Sequence, residues 1–388
     1  MTRSGFEPVR VLHLRDTDRV CGPGKTIMET ALATDRSRHV QLVGLYMDDR
    51  DENEYFRVAT ARGVQVVPIR SSGRFDLKLV PRLLEIIDAH RIDVLHSHEY
   101  KSDIVAFAAA RFRRIPIIST AHGFIQNSRR SQVLVSLGQR VLRRFDRVIA
   151  VSNETRNRLL AVGVPANRVS VIHNAIVTRN YDPTLVPKGG FRARFGIPAT
   201  ARLIGYVGRL SPEKGQRELL LAAVDVIRAH ADVRIVLVGD GPDDAALRQL
   251  AADLGIASAV TFTGHLSDVR GVLRDLDILA LTSYTEGFPN VVLEALCMDV
   301  PVVASDVGGV RELVEDGVTG LLAPAGAPGR IAAALLRLID EPVFAASLAA
   351  AGKRVVFDTF SFDSRVRTEQ ALYDEVLDAW RAARGGGR

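Results

Sequence analysis

The chain has 388 residues, of which 47% are hydrophobic and 25% are charged, and it carries a net charge of +6. This composition is typical of a soluble globular protein, and the length predicts two domains of ordinary size. No apolar run approaches the roughly 18 residues of a membrane-spanning helix, and no apolar signal segment follows Met1. The two cysteines, Cys21 and Cys297, lie in different halves and exclude a disulfide framework, so we expect a cytoplasmic protein.

The positive charge is concentrated in the first half. Residues 1–183 carry 29 Lys and Arg against 19 Asp and Glu, whereas residues 184–388 carry 22 against 26. The excess is greatest from Arg111 to Arg147, where nine arginines face one acid, Asp146. One interpretation is a solvated surface. The other is a docking face for an anionic acceptor or for the anionic inner leaflet of the cell membrane, since residues 133–144 mix apolar and cationic residues as an interfacial helix does. Nucleic-acid binding is disfavoured because no recognition motif is present.

The first half alternates short β-rich runs with helical patterns such as 79–90 and 101–111. This alternation predicts a mostly parallel sheet with helices on both faces, and we expect a Rossmann-like domain over residues 1–183. The predicted strands are 9–14, 40–46, 64–69, 93–96, 115–120, 147–152 and 169–173.

The loop after the first strand, residues 20–26, contains Gly24-Lys25-Thr26 and opens a helix. A P-loop is excluded because its first glycine would fall on Arg19. What remains is a glycine turn at a helix N-terminus, where Gly22 and Gly24 let backbone N–H groups approach an anion. A plain tight turn is the alternative.

A histidine, His122, comes just after the predicted strand 115–120 and before Gly123. At a strand end it is placed to bind a substrate hydroxyl or to act as a base. A histidine satisfied within the fold is the alternative.

A His-X-His motif, His96 and His98, ends the preceding strand. The motif suggests a metal, but no third ligand with metal-like spacing is evident, so we predict no metal site. We assign His98, with Tyr100 and Lys101, to the polar lining on the acceptor side.

A polar stretch with proline and glycine, residues 178–190, predicts a linker, after which the strand–helix pattern restarts. We expect a second Rossmann-like domain over residues 190–360, facing the first across a cleft that is the expected ligand site. Residues 361–388 predict an amphipathic helix that packs back on the N-terminal domain and a disordered glycine-rich tail. The predicted strands of the second half are 202–207, 233–238, 260–263, 278–282, 302–305 and 320–323.

Two cations, Arg209 and Lys214, follow the strand 202–207 in a loop that begins at Gly208. Both can reach one point and hold a diphosphate there, the arginine by bidentate contacts and the lysine as a point charge. Two ordinary surface cations are the alternative.

The run Gly239-Asp240-Gly241 follows the strand 233–238 and looks like the start of a dinucleotide fingerprint. Asp244 stands where the third small residue belongs and Pro242 interrupts the turn, so a dehydrogenase is disfavoured. After the next strand, the backbone of His265 and Leu266 is placed to hydrogen-bond a nucleobase edge.

Two glutamates, Glu286 and Glu294, give the most informative pattern in the chain. Glu286 lies in a Gly-Pro loop just after the strand 278–282, and Glu294 lies one turn inside the helix that follows. The carboxyl edge of a parallel sheet is where ligands bind. Two acceptor-only groups at that edge suit a ligand rich in hydroxyls, such as a ribose or a sugar.

Together these motifs resemble the family 4 retaining glycosyltransferases, which have the GT-B fold. The likeness in organisation covers essentially the whole chain, and the block from Glu286 to Gly309 is its most specific part. The residues that carry it are 208–215, 238–242 and 286–309, with a looser match at Gly22, Gly24, His122-Gly123 and Val151-Ser152.

The resemblance implies transfer of a hexosyl group from a UDP- or GDP-linked sugar to an acceptor hydroxyl, in polysaccharide or glycolipid synthesis. The nucleotide sugar is then a co-substrate, retention at the anomeric carbon is expected, and neither a cofactor nor a bound metal is required. The implied roles are diphosphate binding by Arg209 and Lys214, sugar binding by Glu286 with the backbone of Gly287, Phe288, Pro289 and Asn290, ribose binding by Glu294, and a sugar contact from the other domain by His122.

The chain departs from the family pattern at three places, one of which is the unusual glycine-rich loop Gly22-Pro23-Gly24. Asn174-Ala175-Ile176-Val177 stands where the family has a glycine and an acid, which questions any role for that turn. Asp299 replaces the glycine that ends the helix after Glu294, and we expect it to adopt the left-handed conformation.

Other classes stay open. A nucleotide-sugar epimerase or hydrolase on the same scaffold would turn over without an acceptor. A nucleotide-sugar-binding protein without catalysis would not need Arg209, Lys214, Glu286 and Glu294 together.

Overall fold

The computed structural model of the protein describes residues 7–48, 53–72, 76–123 and 129–385. The chain divides into two compact units, which consist of residues up to His173 together with those from Asp363, and of Asn174–Phe362. The boundary therefore falls before the predicted linker 178–190, which belongs to the C-terminal unit. Of the predicted disordered tail, residues 386–388 lie outside the described part.

The N-terminal unit contains a seven-stranded sheet in the order β3-β2-β1-β4-β5-β6-β7, and every pair is parallel. Strands that are covered on both faces have near-continuous apolar sequences, which makes them visible in the sequence. Each predicted strand is therefore present in the structure, with only its ends shifted. The strands are β1 Val9–Arg15, β2 His39–Met47, β3 Val66–Arg70, β4 Val94–Ser97, β5 Ile117–Ala121, β6 Arg147–Ala150 and β7 Val169–Val171.

Helices connect these strands and begin at the expected signals. α1 starts at Gly22 with Pro23 in its first turn. α6 follows Ser152, whose side chain accepts a hydrogen bond from the backbone N–H of Thr155. The helices are α1 Gly22–Ala33, α2 Glu54–Ala61, α3 Leu79–His90, α4 Tyr100–Arg113, α5 Arg129–Leu142 and α6 Asn153–Ala161.

The C-terminal unit has the same construction around a six-stranded parallel sheet in the order β10-β9-β8-β11-β12-β13. Its strands are β8 Arg202–Val207, β9 Val233–Val238, β10 Val260–Gly264, β11 Ile278–Leu281, β12 Val302–Ser305 and β13 Leu321–Ala323. Its helices are α7 Gly190–Arg194, α8 Gln216–Ala229, α9 Asp244–Asp253, α10 Arg270–Asp275, α11 Asn290–Cys297, α12 Pro328–Asp340 and α13 Pro342–Thr359.

Each sheet has one point at which the strand order reverses. It lies between β1 and β4 in the N-terminal unit and between β8 and β11 in the C-terminal unit. Loops leave such a pair of strands in opposite directions, which opens a crevice at their carboxyl ends. The candidate ligand-binding motifs of the sequence follow these four strands or their neighbours.

The last helix, α14 (Phe362–Gly385), is part of the N-terminal unit's core. Leu372, Tyr373, Val376 and Leu377 pack in one buried cluster with the sheet residues Val11, Val94, Ile118, Ile149 and Ile172. A helix from the far end of the chain thus covers one face of the first sheet. Among the described residues, no helix combines the length and the apolar content needed to cross a bilayer.

The end of α11 confirms the expectation for Asp299. This residue has φ 59°, in the left-handed region, and the backbone N–H of Val300 returns to the carbonyl oxygen of Ala295. The carboxylate of Asp299 also accepts a hydrogen bond from Lys353 Nζ at 2.8 Å. The acid therefore keeps the helix end that a glycine would supply.

We expect Asp299→Gly to raise the free energy of unfolding by about 1 kcal/mol, because the left-handed backbone is strained for a residue with a Cβ. Both variants lose the exposed Lys353 contact, which contributes little, but Asp299→Ala keeps the backbone strain and should therefore be less stable than Asp299→Gly. Thermal unfolding of both variants checks this. An alanine variant as stable as the glycine variant would show that the backbone conformation contributes nothing.

Candidate active site

The cations predicted to hold a diphosphate lie in the loop after β8. Arg209 is exposed, and its guanidinium forms no hydrogen bond or ion pair within the described residues. Lys214 is half-buried at the end of the short 3-10 turn Pro212–Lys214, and its Nζ lies 2.7 Å from Glu286 Oε1. The ammonium group of Lys214 is therefore held by a carboxylate.

Glu286, from the loop after β11, is held from two sides. Its Oε1 accepts hydrogen bonds from Lys214 Nζ at 2.7 Å and from Ser283 Oγ at 2.6 Å. The side chain is only 9% exposed, so the ion pair compensates a charge that would be costly to bury alone. Ser283, fully buried, is a contributor that the sequence analysis missed.

Glu294, predicted to bind a ribose, lies in α11 and is buried. The hydroxyl of Tyr181 donates a hydrogen bond to its Oε1 at 2.6 Å. Tyr181 comes from the segment predicted as a linker, and it is buried too. The segment is therefore structural, and one lone pair of the carboxylate is already used.

The residues between the two glutamates serve the fold as well. Phe288 is buried, with its ring centroid 5.1 Å from that of Phe360. Its carbonyl oxygen accepts a hydrogen bond from Asn174 Nδ2 at 3.0 Å. The turn that departs from the family pattern thus keeps a role through Asn174, while Gly287 and Pro289 are buried and lead into the helix at Asn290.

Glycines let the loops at this edge approach one another closely. A Cβ on Gly239 would clash with the carbonyl oxygen of Gly208, and a Cβ on Gly308 would clash with that of Glu286. Both glycines have positive φ, at 138° and 53°. The Gly-x-Gly run after β9 is therefore explained by loop packing, in agreement with the rejection of a dinucleotide fingerprint. His265 and Leu266, after β10, are half-buried.

The glycines of the first loop also have a packing role. A Cβ on Gly24 would lie 2.9 Å from the ring of Tyr55, and the Tyr55 hydroxyl donates to the carbonyl oxygen of Gly24. Gly22 is the first residue of α1. The plain-turn alternative thus accounts for Gly24 without a ligand.

Four histidines meet at the carboxyl edge of the N-terminal sheet. His98 Nδ1 lies 3.0 Å from His122 Nε2, and His98 Nε2 lies 2.9 Å from His13 Nδ1. His13 Nε2 in turn lies 2.9 Å from Gln41 Oε1. His96 stacks on His98 with ring centroids 4.4 Å apart. The sequence analysis missed His13, although a polar residue inside an apolar strand was a usable signal.

The prediction that no third metal-type ligand accompanies His96 and His98 is wrong. One ring nitrogen of His13 lies within 4.8 Å of one ring nitrogen of each of these two histidines. The hydrogen bonds nevertheless use both ring nitrogens of all three, since His96 bonds to Tyr373 and Thr120. Two nitrogens on one tetrahedral zinc would stand about 3.3 Å apart, farther than the 2.9 Å between His13 and His98. The geometry is that of a hydrogen-bonded cluster.

A buried ion pair from α14 supports this cluster. The Tyr373 hydroxyl lies 2.7 Å from His96 Nδ1 and donates to Glu369 Oε1, also at 2.7 Å. Arg365 pairs with the same carboxylate. Burial alone would raise the pKa of Glu369, but the guanidinium of Arg365 and the hydrogen bond from Tyr373 lower it to about 2.

The other residues assigned to the acceptor side are mostly engaged within the unit. His98 is buried. Tyr100 packs against Gly138 of α5. Lys101 lies 3.0 Å from Asp16 Oδ2 and 5.0 Å above the ring of Tyr46.

The arginine-rich stretch divides into two groups. Arg113 forms a bidentate pair with Asp88, Arg147 pairs with Glu375, and Arg143 donates to the carbonyl oxygen of Val162. The side chains of Arg129 and Arg130 lie outside the described part of the structure. The arginines of the second group are exposed and form no ion pair within the described residues. This group consists of Arg111, Arg114, Arg140 and Arg144.

Burial keeps the clustered imidazoles neutral. It lowers the pKa of His96 to about 3, lowers that of His13, and places those of His98 and His122 well below the usual range. Asp103 shifts in the opposite sense, because burial raises its pKa to about 7 despite hydrogen bonds from Ser97 and Ser119.

These shifts predict acid instability of the N-terminal unit. As the pH falls below about 6.5, the four histidines bind protons more readily in the unfolded chain than in the folded one, because burial lowers their folded-state pKa values, so the free energy of unfolding falls. Asp103 binds a proton in the folded state below about pH 7 and offsets one of them. Thermal unfolding between pH 7 and 5 checks this, and His122→Asn should reduce the slope. A midpoint that does not fall with pH would contradict it.

Two family models match the sequence of this protein. The model "Glycosyltransferase Family 4" matches residues 21–180, and "Glycosyl transferases group 1" matches residues 201–341.

Curated relatives agree with the family models. The chain is 31% identical over 309 residues to the D-inositol 3-phosphate glycosyltransferase of Thermobispora bispora, covering 74% of this chain and 72% of that protein. It is 26% identical over 313 residues to the N-acetyl-α-D-glucosaminyl L-malate synthase of Bacillus anthracis, covering 78% and 80%.

Solved structures share the fold. Anabaena HepE, solved in complex with UDP and glucose, superposes with a TM-score of 0.83 at 24% identity, over 94% of this chain and 99% of that one. The sucrose-phosphate synthase of Thermosynechococcus elongatus superposes with a TM-score of 0.79 at 19% identity, over 96% and 100%. The chain therefore belongs to the group 1, family 4 glycosyltransferases, and its two parallel-sheet α/β units have the GT-B fold.

Proposed function

We propose that the protein is a retaining hexosyltransferase that uses a nucleotide-diphosphate sugar and needs no resident metal ion. The observation that carries the proposal is the set of Arg209, Lys214 and Glu286 in the loops that follow β8 and β11. These two strands flank the switch point of the C-terminal sheet, where nucleotides bind in open α/β folds. The complex of the similar Anabaena HepE with UDP and glucose supports this class of donor.

The cations suit the charge that develops during transfer. As the bond between sugar and diphosphate breaks, the departing diphosphate gathers negative charge and the sugar becomes oxocarbenium-like. Arg209, exposed and without an ion pair in the described residues, can take a phosphate oxygen bidentately. Lys214, held by its ion pair with Glu286, is the second cation that can turn to a phosphate oxygen.

The carboxylates suit recognition of hydroxyls. One oxygen of Glu286 is occupied by Lys214 and Ser283, which favours a hydrogen-bond acceptor over a nucleophile. Glu294, oriented by Tyr181, is the proposed ribose acceptor. By the family resemblance, His122 supplies a further contact to the donor sugar.

We expect Lys214→Ala to lower turnover by roughly 10²–10³, the effect of removing one group that stabilises transition-state charge. Lys188→Ala, an exposed lysine of the same unit, is the matched control and should leave turnover unchanged. Initial rates at saturating donor, chosen from a thermal-shift panel of UDP and GDP sugars, measure the effect. Turnover near that of the parent enzyme in Lys214→Ala would refute the assignment.

The acceptor is proposed to be an anionic molecule that carries a free hydroxyl. Both relatives are named for anionic compounds, an inositol phosphate and malate. The excess of positive charge over residues 1–183 would attract such an acceptor. A lipid-linked phosphate of polysaccharide or glycolipid synthesis shares this chemistry. The cations available to its membrane are Arg111, Arg114, Arg140 and Arg144.

An acceptor panel tests this with two arms. Transfer to inositol phosphate or malate but not to inositol would identify a free anionic acceptor. Sedimentation with anionic vesicles at low salt, lost at high salt, would identify a membrane-bound one. Equal transfer to neutral and anionic acceptors would overturn the proposal, and consumption of the nucleotide sugar without any acceptor would identify the hydrolase or epimerase class. The anomeric configuration of the product, read by NMR, tests retention.

A further inference from the structure

A chain of four side chains in the N-terminal unit is only partly used by the proposed function. Gln41, His13, His98 and His122, here called the histidine chain, are joined by successive contacts of 2.9, 2.9 and 3.0 Å. Three of the four are buried, and His122 is half-buried at the end of β5. The proposed function assigns a role to His122 alone.

The carbonyl oxygen of Gln41 sets the direction of hydrogen-bond donation along the whole histidine chain. A neutral imidazole has one N–H donor and one acceptor nitrogen, so each ring that donates on one side must accept on the other. Gln41 directs its carbonyl oxygen, Oε1, to His13 Nε2, so this nitrogen carries the proton. His98 then donates from Nε2 to His13 Nδ1, and His122 donates from Nε2 to His98 Nδ1.

The direction of hydrogen-bond donation decides whether the other ring nitrogen of His122 is a donor or an acceptor. With the proton on Nε2, the remaining nitrogen, Nδ1, is a pure acceptor. This atom is buried and has no hydrogen-bond partner within the described residues. An unpartnered acceptor fits the O–H of a sugar, whereas the opposite tautomer would present an N–H there.

We propose that Gln41, His13 and His98 are positioning residues that hold His122 in its Nε2–H tautomer, so that Nδ1 accepts a hydrogen bond from a hydroxyl of the donor sugar. The sugar contact rests on the proposed function, but the tautomer does not. The effect is transmitted over three hydrogen bonds from a glutamine that touches no ligand. The amide of Gln41 is the determinant because its oxygen can only accept, whereas a ring nitrogen of histidine donates or accepts according to the tautomer.

The tautomer can be measured directly. In the full-length protein labelled with ¹⁵N-histidine, long-range ¹H–¹⁵N correlation at neutral pH distinguishes a protonated ring nitrogen from an unprotonated one. His122 is assigned by the signals lost in His122→Asn. We expect His122 to carry its proton on Nε2 alone in the parent protein. A proton on Nδ1, or a mixture of both forms, would overturn the proposal.

Gln41→Met tests transmission along the chain. It keeps the length of the side chain but removes the acceptor, so His122 should show both tautomers. Gln370→Met, at another buried glutamine of the same unit, is the matched control and should leave the His122 signals unchanged. A single unchanged tautomer in Gln41→Met would show that the chain does not transmit direction.

Kinetics with UDP-glucose supply a second signature. Because only one tautomer binds productively, the donor KM should rise as the inverse of its population, about twofold when both forms are equally populated, while kcat stays constant. A fall in kcat with unchanged KM would argue against the proposal. If UDP-glucose is not turned over, the same rates are measured with the donor that the thermal-shift panel selects; if no UDP or GDP sugar is turned over, the proposed function fails, but the NMR result still decides the tautomer.

Discussion

The parallel direction of all strands in each sheet is the constraint on which the functional reading depends. Because every strand points the same way, every loop that carries a distinctive polar residue emerges at one edge of its sheet. The reversals at β1/β4 and β8/β11 then place His13 beside His96, and the Arg209–Lys214 loop beside Glu286. Residues far apart in the chain become neighbours without any local signal that joins them.

Much of this arrangement could be predicted from the sequence. Strands covered on both faces have to be apolar throughout, so their positions are visible without an alignment. Glycine and proline mark the loops at their ends, and Asp299 shows that even a helix end with an unusual residue is legible, because few side chains tolerate the left-handed conformation. The proposed class of ligand rests on the side chains that those loops carry.

The contacts inside the site could not be predicted in the same way. His13 meets His98 across 85 residues, Tyr181 meets Glu294 across 113, and Tyr373 meets His96 across 277. No periodicity encodes such a pair, because each depends on how far a side chain reaches once the strands are in place. The segment 178–190 has the polar composition of a linker. It nevertheless contains one buried tyrosine, Tyr181, whose partner Glu294 lies in α11.

The two units handle buried polar groups in physically different ways. In the C-terminal unit, Lys214 and Glu286 compensate each other's charge, and a phosphate or a hydroxyl can compete for either partner. In the N-terminal unit, the histidines are neutral, so no charge is desolvated, but every member must keep one tautomer for its neighbour to be satisfied. An ion pair therefore suits a ligand whose charge changes during the reaction. A directed chain of neutral rings suits a ligand that must be recognised by the orientation of one hydroxyl.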